Sequence, residues 1–178
     1  MHISDYEPSD LATVTKMFTA TFSASEGEEE GTTIGTLVND MLTTTNKRDI
    51  YAFKMMENNS IVGCIFFTRF NLPTDDLAFI LSPLAVSTNQ QGKGVGQALI
   101  NFGLEQLKED DVQLVFTYGD PAFYCKTGFS HVTEATINAP FPLTQPHGWL
   151  CQSLTGQEIE AIEGGTHCVE ALSKAKYW

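Results

Sequence analysis

From Leu81 to Ile100 the chain reads LSPLAVSTNQQGKGVGQALI. An apolar run ends at Val86, the turn QGKGVG occupies Gln91 to Gly96, and an amphipathic run begins at Val95. A strand that passes through glycines into a helix start is an anion cradle. The first N–H groups of the helix lack acceptors, the macrodipole adds partial positive charge, and glycines let the main chain approach phosphate oxygens. The turn therefore predicts a phosphorylated cofactor, and its spacing narrows the choice. A nucleotide P-loop needs Ser or Thr directly after Gly-Lys, whereas Lys93 is followed by Gly94 and Val95. The dinucleotide fingerprint needs a small residue three places after its second glycine. Counted from Gly92 that place holds Gln97, and counted from Gly94 it holds Leu99. What remains is Gln91-x-x-Gly94-x-Gly96.

Working outward, Leu77 to Val86 reads as a strand in which Pro83 removes a ladder hydrogen bond, so the strand lies at an edge or is bulged there. Upstream, Ile50–Met56 and Ile61–Phe70 are two strands joined through Glu57, Asn58 and Asn59, and asparagine tolerates the left-handed backbone of a tight hairpin. His2–Tyr6 is a short first strand. Leu11, Val14, Phe18 and Phe22 recur at helical spacing after Pro8 and Ser9, and Ile34, Leu37, Val38, Met41 and Leu42 do so again. Between the two helices Ser23–Gly31, with Glu26, Glu28, Glu29 and Glu30, reads as an acidic loop. Downstream of the glycine turn, Val95, Ala98, Leu99, Phe102 and Leu107 are the expected buried face of a helix. Val112–Thr117 is a strand, Gly119-Asp120-Pro121 turns it into a short helix, and Gly128-Phe129 opens another strand. Pro146 and Gly148 precede a last strand at Trp149–Leu154. Thr155 and Glu158 stand at capping-box spacing, which predicts a helical tail interrupted by Gly164-Gly165.

The chain has 178 residues, 42% hydrophobic and 18% charged, enough for one domain over residues 1–178 with its own core and a tail from about 155. Cys64, Cys125, Cys151 and Cys168 show no paired short spacing and no histidine cluster joins them, so neither a metal site nor a disulfide framework is expected. Reduced thiols and the lack of a leader-like N-terminus point to the cytoplasm. A formal charge of -12 argues against nucleic acid and anionic membranes as partners. It leaves room for a cationic or neutral substrate, although solubility alone would explain it equally well. An anionic cofactor is still compatible, because screening over about 8 Å lets a local nest of N–H groups outweigh distant carboxylates.

The residues Gln91-x-x-Gly94-x-Gly96, set in Leu81–Ile100, resemble the acyl-CoA pyrophosphate loop of the GNAT N-acetyltransferase superfamily. A second stretch, DPAFYCKTGF from Asp120 to Phe129, resembles that family's aromatic-Tyr-x-x-x-Gly-Phe segment after the fifth strand. The two occur in the family's order over roughly the first 135 residues. The resemblance implies an α+β fold, a mixed central sheet flanked by helices and splayed between its fourth and fifth strands. It also implies acetyl-CoA as cofactor, with pantetheine bonding to the main chain around Leu84, Ala85 and Val86 and pyrophosphate held by Gln91, Gly92, Lys93, Gly94, Val95 and Gly96. Physically, an exposed strand edge satisfies the pantetheine amides as another strand would. A backbone N–H near Leu84 or Ala85 then becomes a candidate oxyanion donor.

Tyr124 matches the tyrosine that protonates the departing thiolate in many family members, its rival role being to pack between Phe123 and Phe129. Lys93 is either a phosphate contact or a solvated residue, and Gln91 either a pyrophosphate contact or a brace of the loop. Asp120 is expected to cap the short helix. For the general base the residues leave several candidates: Glu28, Glu29 and Glu30, Asp75 and Asp76, or a water relay, with His131 read as a strand residue. The resemblance places Glu28, Glu29 and Glu30 beside the acceptor, where they would select a cationic amine; otherwise they are a solvated run. The function implied is transfer of acetyl from acetyl-CoA to a primary amine, on a small molecule or peptide, by direct attack in a ternary complex. The alternative is a noncatalytic acyl-CoA-binding sensor or scaffold of the same fold, and a different acyl chain is a third possibility.

Overall fold

The computed structural model describes residues 1–178. Strand β1 (His2–Asp5) leads through a 3-10 turn at Pro8–Asp10 into helix α1 (Leu11–Glu26), which buries Val14 and Phe18. Helix α2 (Glu28–Thr44) follows after Gly27 alone, whose φ of 102° breaks the first helix. The acidic loop expected over Ser23–Gly31 is therefore corrected: Glu28, Glu29 and Glu30 are the first turn of α2. Carboxylates are favoured there by the positive end of the helix dipole, so an acidic run marks a helix start as readily as a loop. Gly31 lets α2 lie against α1, since a Cβ there would stand 2.6 Å from the Thr19 carbonyl oxygen.

Strands β2 (Ile50–Glu57) and β3 (Ser60–Asn71) form the expected hairpin, with Asn58 and Asn59 at φ 48° and 61°. Both values are left-handed, as a two-residue type I′ turn requires. Then come β4 (Ala78–Val86), α3 (Val95–Glu109), β5 (Leu114–Tyr118), α4 (Pro121–Tyr124), β6 (Ser130–His131), β7 (Trp149–Ser153) and β8 (His167–Cys168). The mixed sheet runs β1-β2-β3-β4-β5-β7-β6, and β8 pairs with the end of β3. Strand β7 thus returns from far along the chain to separate β5 from β6.

The sheet opens in its middle. β4 pairs with β5 in parallel only from Ala78 opposite Leu114 to Leu81 opposite Thr117. On its other side β4 steps from Leu81 opposite Phe67 to Leu84 opposite Ile65, leaving Ser82 and Pro83 to face Phe66 alone. Pro83 therefore sits in a bulge of an interior strand. Beyond it, Leu84, Ala85 and Val86 remain paired with β3 and have left β5.

Alternation along β3 divides the core between the two faces of the sheet. Phe66 and Phe70 pack with Val14, Phe18, Leu37, Met41, Phe116 and Trp149 under α1 and α2. Ile65 and Phe67 pack with Phe79, Leu99, Ile100, Leu104, Val115 and Leu150 under α3. On α3 itself Ile100 and Leu104 are buried, whereas Ala98 is exposed and Phe102 half-buried, because the face turned to the sheet is rotated from the expected one.

The helical tail expected from Thr155 is absent. The Thr155 hydroxyl accepts from the Gln157 N–H at 3.3 Å in a local turn, and Gly156 and Gly164 adopt φ of 77° and 119°. The tail instead returns to the core. Leu172 and Trp178 are buried with the α1–α2 face, and the Trp178 indole N–H donates to the Leu172 carbonyl at 3.0 Å. No helix in the protein is long and apolar enough to cross a membrane.

Candidate active site

The glycine turn joins β4 to α3 as a loop of unpaired donors. Gly92 and Gly94 have φ of 74° and 80°, so the main chain doubles back without strain. The backbone N–H groups of Gln91, Gly92, Lys93 and Gly94 donate to no protein group, and the first turn of α3 adds N–H groups that have no intrahelical acceptor. A Cβ built on Gly92 or Gly94 would meet nothing within 4 Å, so the space in front of the loop is open. This donor set and clearance suit a pyrophosphate. The loop is braced from within: Gln91 Nε2 donates to the Val86 carbonyl at 3.0 Å. Lys93 Nζ turns to Gln90 Oε1 at 2.9 Å and lies outside the groove.

That groove, about 1070 Å³, runs from the loop along the splayed strands. Leu84, Ala85, Val86, Gln91, Gly92, Gly94, Val95, Gly96 and Tyr124 all line it, which leaves Lys93 as the one loop candidate turned away. Strand alternation tells which amides face the gap. Ser87 N–H donates to Val62 on the β3 side at 2.9 Å, so Ala85 N–H points to β3 as well. Leu84 and Val86 N–H therefore face the side that β5 has vacated. Of the two amides singled out from sequence, geometry favours Leu84 over Ala85.

Tyr124 ends α4, whose N-cap is Asp120 as expected: its carboxylate accepts from the Ala122 N–H at 2.9 Å. The phenol ring makes edge contacts with Phe123 and Phe129. It also lies directly on Gly119, where a Cβ would come within 2.6 Å of ring carbon Cε2. Burial pushes the Tyr124 hydroxyl up to about 12, with the Thr117 hydroxyl opposing and the Asp120 carboxylate adding to the rise. Such a group is a proton donor at neutral pH, and its packing and its placement on the groove coexist.

The other end of the groove has two walls. Phe22 and Glu26 of α1 and Glu30 of α2 form one; Glu28 and Glu29 are exposed and lie outside the lining. The second wall is the turn Thr144–Gly148 ahead of β7 together with Lys176, Tyr177 and Trp178 of the tail. It is pinned by Tyr118, whose hydroxyl accepts from the Gln145 N–H at 2.7 Å and lies 3.0 Å from the Thr144 hydroxyl. The Tyr118 ring stacks on Trp178 with centroids 6.2 Å apart. His147 and the tail residues escaped sequence reasoning, because the turn carried only turn chemistry and the tail no usable motif.

The remaining base candidates lie elsewhere. Asp76, with Asp75 beside it, precedes β4 at the end remote from the bulge and is held by Gln113 Nε2 at 3.2 Å. His131 is exposed on edge strand β6. None of the four cysteines lines the groove, and burial raises the Cys64 thiol strongly, that of Cys151 to about 12 and that of Cys168 to about 11. A cysteine nucleophile has no place in this site.

Residues 48–131 match the sequence profile of the acetyltransferase (GNAT) domain. An uncharacterized N-acetyltransferase of Escherichia coli (strain K12), YjhQ, is 31% identical over 175 residues, covering 95% of this chain and 91% of that protein. Among solved structures, the GNAT family N-acetyltransferase YhbS from Escherichia coli in complex with CoA superposes with a TM-score of 0.78 at 20% identity, covering 97% of this chain and 92% of that one. A GNAT family acetyltransferase from Brucella melitensis in complex with acetyl-CoA gives 0.75 at 20% identity, covering 96% and 97%. By its sequence, and by a sheet that opens where a glycine loop meets a helix, this chain belongs to the GNAT family of N-acetyltransferases.

Proposed function

We propose that the protein transfers the acetyl group of acetyl-CoA to a primary amine in a ternary complex, by direct attack. The observation that carries this reading is one continuous groove that joins the unpaired amides of Gln91–Gly94, the free edge of β4 and the protonated hydroxyl of Tyr124. Acetyl-CoA, when bound, supplies a thioester whose carbonyl an amine can attack and whose thiol can leave. The loop amides and the N-terminus of α3 hold the pyrophosphate, and the edge of β4 at Leu84–Val86 holds the amide-bearing arm. Leu84 N–H donates to the oxygen on which charge develops, an interaction worth roughly 3 kcal/mol in the transition state. Tyr124 gives its proton to the departing sulfur and regains one from the nitrogen that becomes the amide, so the phenol ends as it began. No acyl-enzyme forms.

The acceptor enters between the two walls at the far end of the groove. Glu26 and Glu30 outnumber Lys176 on the facing wall and leave that entrance net negative, which favours a cationic amine on a small molecule or peptide. The cytoplasm, where acyl-CoA is met and thiols stay reduced, is the place of action. Calorimetry with acetyl-CoA, followed by thiol release across a panel of amines, tests the reading. Binding with release on at least one cationic amine is the expected result. Binding with no transfer to any amine would favour the sensor instead, and no binding would remove the reading altogether.

A further inference from the structure

We propose that His147 is the general base that takes the proton from the acceptor's ammonium group, with Tyr118 as its positioning residue. The assignment rests on the acetyl-transfer reading above. An amine arriving as R–NH3⁺ has no lone pair to offer and must lose a proton before attack, so an acceptor for that proton is needed at the amine's end of the groove. Of the four histidines, His2 lies on β1, His131 on β6 and His167 on β8, and only His147 lines the groove. It is also exposed, which lets it pass the proton to solvent.

The turn that carries it is fixed by contacts that lead to the acid. Gly148, next to it, accepts from the Gly119 N–H at 3.0 Å, and Gly119 is the residue on which the Tyr124 ring rests. The turn is closed by Gly148 N–H on the Gln145 carbonyl at 2.9 Å and held by Tyr118, whose hydroxyl accepts from Gln145 N–H. The Thr144 hydroxyl donates in turn to the Trp178 carbonyl at 3.2 Å. Tyr124 and the turn of His147 are thus both tied to the end of β5, the ring by its contact with Gly119 and the turn by the Gly119–Gly148 hydrogen bond. The charged and titratable groups that share the groove with the imidazole are Glu26 and Glu30 of the α1–α2 wall, Tyr118 at the end of β5, Asp120, Tyr124 and Lys126 around α4, and Lys176 and Tyr177 of the tail. The step balances simply: one proton leaves the ammonium, the imidazole becomes imidazolium, and the neutral amine keeps the electron pair that forms the C–N bond.

The test uses the full chain with an amine that the wild type acetylates. Replacing His147 by Gln should lower kcat/KM at neutral pH roughly 100-fold, leave acetyl-CoA affinity unchanged, and remove the acid limb that an imidazole gives between about pH 5 and 8. An alkoxyamine analogue, already neutral at these pH values, should lose far less, which a merely structural role would not produce. A readout independent of turnover is the NMR spectrum of the His147 ring: a bound cationic acceptor, with no acetyl-CoA present, should shift its resonances, because the ammonium then lies against the imidazole. Wild-type kcat/KM and an intact acid limb in H147Q, or ring resonances indifferent to the acceptor, would overturn the assignment while leaving the transferase reading in place. A wild type that binds acetyl-CoA and acetylates nothing would overturn both.

Discussion

A phenol raised to about 12 is protonated at neutral pH, so Tyr124 can give a proton and cannot serve as a resting base. Tyr124→Phe keeps the ring on Gly119 and its edge contacts with Phe123 and Phe129, and removes only the donor. We expect unchanged acetyl-CoA binding and a fall in kcat of about ten- to a thousandfold, read by thiol release. The sign of the shift adds a second check. Because the hydroxyl is held protonated and is lost only as pH rises through about 12, kcat should show no alkaline fall assignable to it between about pH 7 and 10. At this scale the sequence was informative where chemistry follows local spacing: Asp120 before Pro121 is a cap, and Tyr124 stands where its motif puts it. It could not choose between the amides of Leu84 and Ala85. That choice depends on which way a strand faces its neighbour, and Ser87 bonding to Val62 turns the Ala85 amide to β3 and leaves Leu84 facing the gap.

At the scale of elements, the β4–loop–α3 unit separates charge from backbone conformation. Gly94 is left-handed at φ 80° with open space about its α-carbon, a conformation that asparagine adopts at small cost. Gly94→Asn should therefore keep CoA binding within a few-fold, whereas Gly94→Asp, of nearly the same shape, places a carboxylate where free amides and the helix dipole would hold phosphate in the proposed reading. A loss of affinity of more than tenfold is expected for Asp, measured by calorimetry, and equal affinities for the two variants would remove the loop from the cofactor site. The hairpin at Asn58–Asn59 and the bulge at Pro83 were legible for the same reason as the loop: each is a local backbone demand met by a residue type. Two of the errors share a cause as well. Glu28, Glu29 and Glu30 fit a loop or a first helical turn equally, and Thr155 with Glu158 fits a capping box or a local turn, so only the surrounding packing decides.

For the molecule as a whole, strand order was the hidden quantity. Tyr118 opposite Trp149 joins residues that no local pattern connects, and that pairing brings the Thr144–Gly148 turn and the tail into the lining of the groove. The overall charge of -12, taken alone, says nothing about substrate. Its local arrangement does: α1 and α2 place Glu26 and Glu30 on the wall facing Lys176 and Tyr177, whereas Glu28 and Glu29 face solvent outside the groove. Replacing Glu26 and Glu30 together by Gln should raise KM for a cationic acceptor several-fold at low salt, and less at high salt, where the Debye length shrinks to a few ångströms. Acetyl-CoA affinity should stay as it was, because the loop lies at the other end of the groove. Replacing Glu28 and Glu29 instead removes the same formal charge from the molecule and serves as the control. Should the two pairs raise KM equally, the net field rather than the groove wall would be steering the amine; should neither raise it, selection would rest on the shape set by Phe22, Tyr118 and Trp178.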